Sequence, residues 1–252
     1  MIKSAKREGF LVVTAVLVGL VLPNSAWAEL GKDRCVVGID VGHSIEQPGA
    51  TSARGRPEWA FNRRLAGEVA QTINTTGMAS AFLINGEGET LSLAERPRRA
   101  KMGGAGLFLS IHHDSAQPQF LKPWRHDGKE GLTADGIHGY SIFVSRTGSH
   151  PEESLRFAQG LAGALRATGY TPTLHHAEPI KGENRELIDR DRGIYRFDEL
   201  AVLRTAELPA LLFEAGVIVN RNEEVLLDTA EYRAGLIDAL TQAVLDYCAL
   251  NG

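Results

Sequence analysis

Long apolar runs are nearly missing from this 252-residue chain. The one stretch of note, Phe10 to Leu22, holds about 13 residues and is broken by Thr14 and Gly19. A bilayer span needs roughly 20, so this run does not make a membrane anchor. Basic charge is not in excess: 27 Lys and Arg stand against 31 Asp and Glu, a net charge of −4. That argues against a nucleic-acid binder, which carries a basic patch. It leaves room for an anionic polymer in a local cleft, since a cleft can oppose the global sign. There is no Pro- or Ser-rich linker, no low-complexity tract and no internal repeat, which favours a single domain. No Gly-x-Ser-x-Gly elbow occurs, which argues against a serine hydrolase.

What stands around the short apolar run gives it a meaning. Lys3, Lys6 and Arg7 precede it, and Ala26-Trp27-Ala28 follows it. A basic start, an apolar middle and small residues at a cleavage position make a secretory signal peptide over residues 1–28. The mature chain, 29–252, then has a net charge of about −6, because Lys3, Lys6, Arg7 and Glu8 leave with the leader. An exported chain meets an oxidising compartment. Its two cysteines, Cys35 and Cys248, are either a disulfide or two separate buried thiols, and free Cys packs as a small hydrophobe.

Along the mature chain, apolar β-branched runs alternate with helical spacing. Strands are expected over 35–41, 79–84, 106–111, 139–144 and 209–214. Helices are expected over 57–73, where Trp59, Phe61, Leu65, Val69 and Ile73 form a stripe, and over 91–102, with Pro97 awkward in the interior. Further helices are expected over 151–168 and 200–204, with one or two more across 223–250. This alternation predicts an α/β fold: one layered domain with a mostly parallel or mixed central sheet flanked by helices. Two polar segments, 116–136 and 171–190, read as insertions.

Three polar groups follow apolar strands: His43, His112 and Glu214. Open α/β sheets place their ligand crevice at that edge. Catalytic zinc takes three His or carboxylate ligands and keeps a position for water, so two histidines and a carboxylate are the set to seek. Glu58 is the leading third ligand, although an acidic residue in the first turn of a helix is stabilising in any case. His113, His126, His138, His150, His175 and His176 read mostly as solvated loop residues.

Four blocks carry a resemblance. They are Val37-Gly-Ile-Asp-Val-Gly-His43, Glu58-Trp-Ala-Phe-Asn62, Leu109-Ser-Ile-His-His-Asp-Ser115 and Pro209-Ala-Leu-Leu-Phe-Glu-Ala-Gly-Val-Ile-Val-Asn220. In order and strand context, residues 35–248 resemble the zinc-dependent N-acetylmuramoyl-L-alanine amidases of bacterial cell separation and sporulation. The resemblance implies zinc held by His43, Glu58 and His112, with Glu214 as general base and acid. His113 is the rival to His112. The resemblance also implies a peptidoglycan substrate, cut between N-acetylmuramic acid and L-alanine, an exported or periplasmic location, and an activator protein in some members. Arg192-Gly193 and Leu203-Arg204 match family positions that shape the cleft. Two rival readings stay open: a zinc carboxypeptidase acting on the stem peptide, and an inactive wall-binding regulator on the same fold. The segment 171–190 is either a groove-lining loop or an inhibitory plug offering Glu178, Glu183 or Glu186 to the metal.

Overall fold

Val36–Val41 (β1) begins the sheet, and it carries the β-branched apolar residues that a strand buried on both faces requires. The computed structural model describes residues 35–251, so the expected leader, 1–28, lies outside the described residues. The chain then runs through Glu58–Thr76 (α1), Ser80–Ile84 (β2), Glu95–Met102 (α2), Leu107–Asp114 (β3), Lys122–His126 (β4), Lys129–Thr133 (β5) and Ser141–Val144 (β6). It continues through Pro151–Ala167 (α3), Leu187–Asp189 (β7), Ile194–Arg196 (β8), Ala201–Arg204 (α4), Ala210–Val217 (β9), Glu223–Asp228 (α5) and Ala230–Asn251 (α6).

Seven strands form one mixed sheet in the order β2-β1-β3-β9-β6-β8-β7. The pairs β1–β2, β1–β3 and β3–β9 are parallel, whereas β6 runs antiparallel to β9. Because β1, β3 and β9 are parallel neighbours, their carboxyl ends share one edge. Helices α1, α3 and α6 cover one face, packing Phe61, Leu65, Val69 and Ile73 of α1 against Leu107, Leu109 and Ile111 of β3. Each such fully buried side chain contributes about 2 kcal/mol. The other face is covered by α2 and α4, and Phe108, Phe143 and Leu212 point that way. This is the expected α/β layering, with helices on both sides of a mixed sheet.

The details differ from the sequence reading in four places. Helix α2 begins at Glu95, which puts Pro97 in the first turn, where a backbone N–H has no partner within the helix to lose. Strand β3 does not stop at Ile111 but runs on to Asp114, with a register shift against β9 after His112. Residues 122–133 form an antiparallel hairpin around Asp127 and Gly128, both at positive φ (49° and 75°) as a tight hairpin turn requires. Residues 187–196 add β7 and β8 to the sheet edge. Cys35 and Cys248 are disulfide-bonded with Cα atoms 5.6 Å apart, tying the start of β1 to α6.

Candidate metal centre and active site

The site is built where β1 gives way to its loop. Asp40, fully buried near the end of β1, accepts from Arg96 Nη1 of α2 at 2.8 Å and from Ser110 Oγ of β3 at 2.7 Å. The same guanidinium donates to the carbonyls of Val41 (2.8 Å) and His43 (2.7 Å). Asn85 Nδ2 also donates to both of these carbonyls. These donors matter because His43 has φ 68°, a left-handed conformation that costs a non-glycine residue about 1–2 kcal/mol. Held there, its ring turns back toward the start of α1.

Glu58 is the first residue of α1 and is buried. Its Oε2 lies 3.0 Å from His43 Nε2, and its Oε1 lies 2.9 Å from His112 Nδ1. The two imidazole rings meet edge to face at 4.9 Å. One donor atom from each of His43, Glu58 and His112 lies within 4.8 Å of the others. The Ala50 N–H and Asn62 Nδ2 each donate to the Glu58 carboxylate at 3.0 Å, which fixes its orientation. Burial opposes ionisation of Glu58, but hydrogen bonds from His112 and His43, with their charges, outweigh it and hold the carboxyl well below its ordinary range. Two glycines make space. A Cβ on Gly42 would lie 2.5 Å from the His112 ring, and one on Gly49 would lie 2.5 Å from both Glu58 and the His43 ring. Two imidazoles and an ionised carboxylate, converging with the carboxylate held from outside by Ala50 and Asn62, match the donor set of a catalytic zinc site. The His43 side chain stays 33% exposed, so the cluster opens to solvent on that side.

His113 is placed elsewhere. Asn62 spends its Nδ2 hydrogens on Glu58 and on the Gly42 carbonyl. Its Oδ1 must then be the acceptor, so His113 Nδ1 carries the proton that spans 2.8 Å to it. The ring is buried, tilted against Phe61 at 5.5 Å, and burial drives its pKa down to about 3. Its donor nitrogen is thus occupied away from the cluster.

Glu214 sits on β9 directly across from His112 in the β3–β9 ladder. Its Oε2 is shielded from solvent and has no hydrogen-bond partner. Burial first, then the charges of Asp114 and Glu58, push its pKa well above the ordinary value. The structure therefore brings His43, Glu58 and His112 together and puts a carboxyl group of raised pKa on the neighbouring strand, opposite His112.

Other residues were misread or missed from sequence. His113, His175 and His176 are buried, not solvated: Asn62 claims His113 and Asp114 claims His176 from far along the chain, while His175 Nδ1 pairs with Thr173 two residues away. His176 bridges Asp114 (Nε2 to Oδ2, 2.7 Å) and Glu183 (Nδ1 to Oε2, 2.8 Å). Burial lowers its pKa, but the two carboxylates prevail and raise it to about 9. Of the three carboxylates considered as plugs, Glu183 is thus taken by His176, and Glu186 pairs with Arg196 at 3.1 Å. Glu178 is exposed and lines a cavity of about 530 Å³ together with His138 and His175. Arg192 is exposed and pairs with Asp189, while Leu203 is buried under the sheet. The buried Asp40–Arg96 pair had one legible signal, an acidic residue inside an otherwise apolar strand. Between the 50–55 loop and the hairpin lies a groove of about 600 Å³, lined by Ala50 and Ser115, neighbours of the cluster.

Comparison with known proteins follows the same lines. The family model described as N-acetylmuramoyl-L-alanine amidase matches residues 37–246. Among curated proteins, the chain is 23% identical over 236 residues to the amidase AmiC of Neisseria meningitidis, covering 85% of this chain and 53% of that protein. It is 24% identical over 236 residues to AmiA of Escherichia coli K12, covering 84% and 75% respectively. The chain thus spans only about half the length of the Neisseria relative. Among solved structures, an N-acetylmuramoyl-L-alanine amidase from Clostridium difficile 630 superposes with a TM-score of 0.67 at 21% identity, covering 87% of this chain and all of that one. The catalytic domain of CwlV from Bacillus (Paenibacillus) polymyxa gives 0.62 at 23% identity, covering 84% and 97%. CwlD of Clostridioides difficile, solved in complex with the GerS lipoprotein, gives 0.64 at 16% identity, covering 86% and 100%.

Proposed function

The chain belongs to the N-acetylmuramoyl-L-alanine amidase family, and from that premise we propose that it is an exported zinc hydrolase of peptidoglycan. The bond cut is the amide between N-acetylmuramic acid and L-alanine of the stem peptide. The observation that carries this reading is the convergence of His43, Glu58 and His112 at the sheet edge that also holds Glu214. A zinc ion bound there supplies Lewis-acid polarisation and makes water a stronger acid, toward a pKa of about 7.

The chain's own residues do the rest. Glu58 bridges both imidazoles and keeps their donor nitrogens aimed at one point. Asn62 keeps Glu58 in place and holds His113 out of the cluster. Glu214 takes the proton of the attacking water on a carboxylate oxygen and returns it to the departing amide nitrogen. Its buried, unpartnered Oε2 and raised pKa suit a group that must both accept and give a proton. The groove beside Ala50 and Ser115 is the proposed seat of the glycan strand. The disulfide accords with an oxidising, exported location. Among the described residues no helix is long and apolar enough to cross a membrane. A protein activator is proposed by analogy with CwlD, which was solved with a lipoprotein partner.

The test is the Glu214→Gln variant. It should keep its zinc and lose about 10²–10⁴-fold in rate, the size of a general acid–base contribution. Mass analysis of digested peptidoglycan should show free stem peptides beginning at L-alanine. Cleavage within the stem peptide instead, or loss of zinc from the variant, would overturn the assignment.

A further inference from the structure

A second cluster of metal-ligating side chains lies one strand-step further along β3 and is not used by the proposed reaction. Asp114 ends β3, and His175 and His176 lie in a single 3-10 turn of the 171–190 segment. One donor atom from each lies within 4.8 Å of the others. We propose that Asp114, His175 and His176 form a second divalent-cation site of the zinc class, which fastens the 171–190 segment to the active-site strand. The inference does not rest on the catalytic reading of His43, Glu58 and His112.

Three features support it. The donor set is two imidazoles and one carboxylate, which suits zinc and similar transition metals and not calcium or magnesium. The spacing is close to what a metal needs. His175 Nε2 is 3.5 Å and His176 Nε2 2.7 Å from the same Asp114 oxygen, Oδ2. Ligand atoms around tetrahedral zinc stand roughly 3.3 Å apart, so one contact already fits and the other must open by about half an ångström. The outer nitrogens are also anchored: His175 Nδ1 is 2.9 Å from Thr173 Oγ1, and His176 Nδ1 is 2.8 Å from Glu183 Oε2, while the other oxygen of that carboxylate, Oε1, accepts from Gln117 Nε2 at 3.1 Å. Ligating histidines engage their second ring nitrogen in this way, which fixes the ring and the tautomer.

The simpler account is an ion pair, with a doubly protonated His176 between Asp114 and Glu183. That account explains His176 but not His175. His175 is 6% exposed, yet its Nε2 faces the Asp114 oxygen without a hydrogen bond to any group. A buried nitrogen left unpaired is destabilising, and a cation between these three atoms would satisfy it. The rings are held by packing: His175 and His176 lie 3.9 Å apart at their centroids and are tilted by 38°, and His176 meets Phe143 edge-on at 4.9 Å. A metal here would join residues about 60 positions apart, and so tie a polar segment with few apolar contacts to the central sheet.

The experiment measures zinc per chain, by mass spectrometry of protein equilibrated with micromolar Zn²⁺. The wild type should hold two equivalents. The His43→Ala/His112→Ala protein should hold one, as should His175→Gln/His176→Gln, and the four-fold variant none. Hydrogen exchange supplies a readout that needs no change at the second cluster. In His43→Ala/His112→Ala, added Zn²⁺ should slow exchange in residues 171–190 at least several-fold. The proposal is overturned if His175→Gln/His176→Gln keeps the wild-type zinc content, or if His43→Ala/His112→Ala holds none. It is equally overturned if zinc leaves exchange in 171–190 unchanged. A wild type with one equivalent, lost only on changing His175 and His176, would support this site and refute the catalytic one.

Discussion

Replacing Arg96 with Met tests whether the first histidine is held by a buried charge. The guanidinium is 5% exposed and serves three acceptors: Asp40 Oδ1, the Val41 carbonyl and the His43 carbonyl. Met matches its length but donates nothing. Asp40, fully buried, would keep only Ser110 Oγ as a partner, with Arg96 gone. Removing one member of a buried ion pair costs about 3–5 kcal/mol, because the other is stranded. That is a large part of a typical stability of about 5–15 kcal/mol. For a domain of this size it lowers Tm by roughly 10 °C. Chemical denaturation of both proteins gives the difference. Arg96→Lys should recover less than half of it, since one ammonium cannot span three acceptors in that fork geometry. Asp40→Asn combined with Arg96→Met should be less harmful than the two single losses added together. In the folded variant, the His43 carbonyl keeps only Asn85 Nδ2 to fix its left-handed residue, and zinc affinity should drop about 10–100-fold, as for other outer-shell partners. A loss below about 1 kcal/mol with unchanged zinc affinity would refute the reasoning.

Other expectations follow from single features. Opening the Cys35–Cys248 bond by the double Ser substitution releases a loop closed over 213 residues, and the chain-entropy relation gives about 5 kcal/mol; unfolding by guanidinium with and without reductant measures it, and no shift would exclude a stabilising role. Buried Glu223 has its pKa raised to about 7, so the folded state holds a proton that the unfolded state has released. Its stabilising effect is therefore full below about pH 4.5 and is lost as pH rises toward 7, on the order of 3 kcal/mol. Glu223→Gln should flatten that dependence, and parallel stability–pH curves for the two proteins would contradict it. Gly49→Ala places a Cβ against Glu58 and His43 at φ 78° and should weaken zinc binding at least tenfold by isothermal titration; unaltered affinity would mean that the loop yields freely.

What could be read from the sequence was what repeats locally. The apolar runs of β1, β3 and β9 and the stripe of α1 follow from periods of two and 3.6 residues, and each was placed to within a few positions. The candidate ligands were legible because they sit at the ends of those runs. The short strands β7 and β8 were not, because three residues such as Leu187–Asp189 carry no period, and only pairing on the sheet edge makes them extended. The hairpin carries one local signal, the tight-turn dipeptide Asp127-Gly128, but the flanking Lys122–His126 and Lys129–Thr133 are too polar to read as strands.

The polar groups that the sequence hid share one physical property. Arg96 reads as a surface residue of a short basic helix, and His175 and His176 read as members of a charged loop. Each becomes buried only because a carboxylate is waiting 56 or more residues away, Asp40 for Arg96 and Asp114 for the histidines. A buried charge without its partner is expensive, so burial and partner are one event that no window of neighbouring residues can reveal. Both carboxylates lie near the carboxyl ends of adjacent parallel strands, Asp40 on β1 and Asp114 on β3. That edge therefore collects charge for the same reason that it collects function: the strands stop, side chains gain room, and groups from distant loops can reach them. Polar residues near the ends of apolar strands are thus the ones to test for partners elsewhere in the chain, even where the partner's own neighbourhood looks solvated.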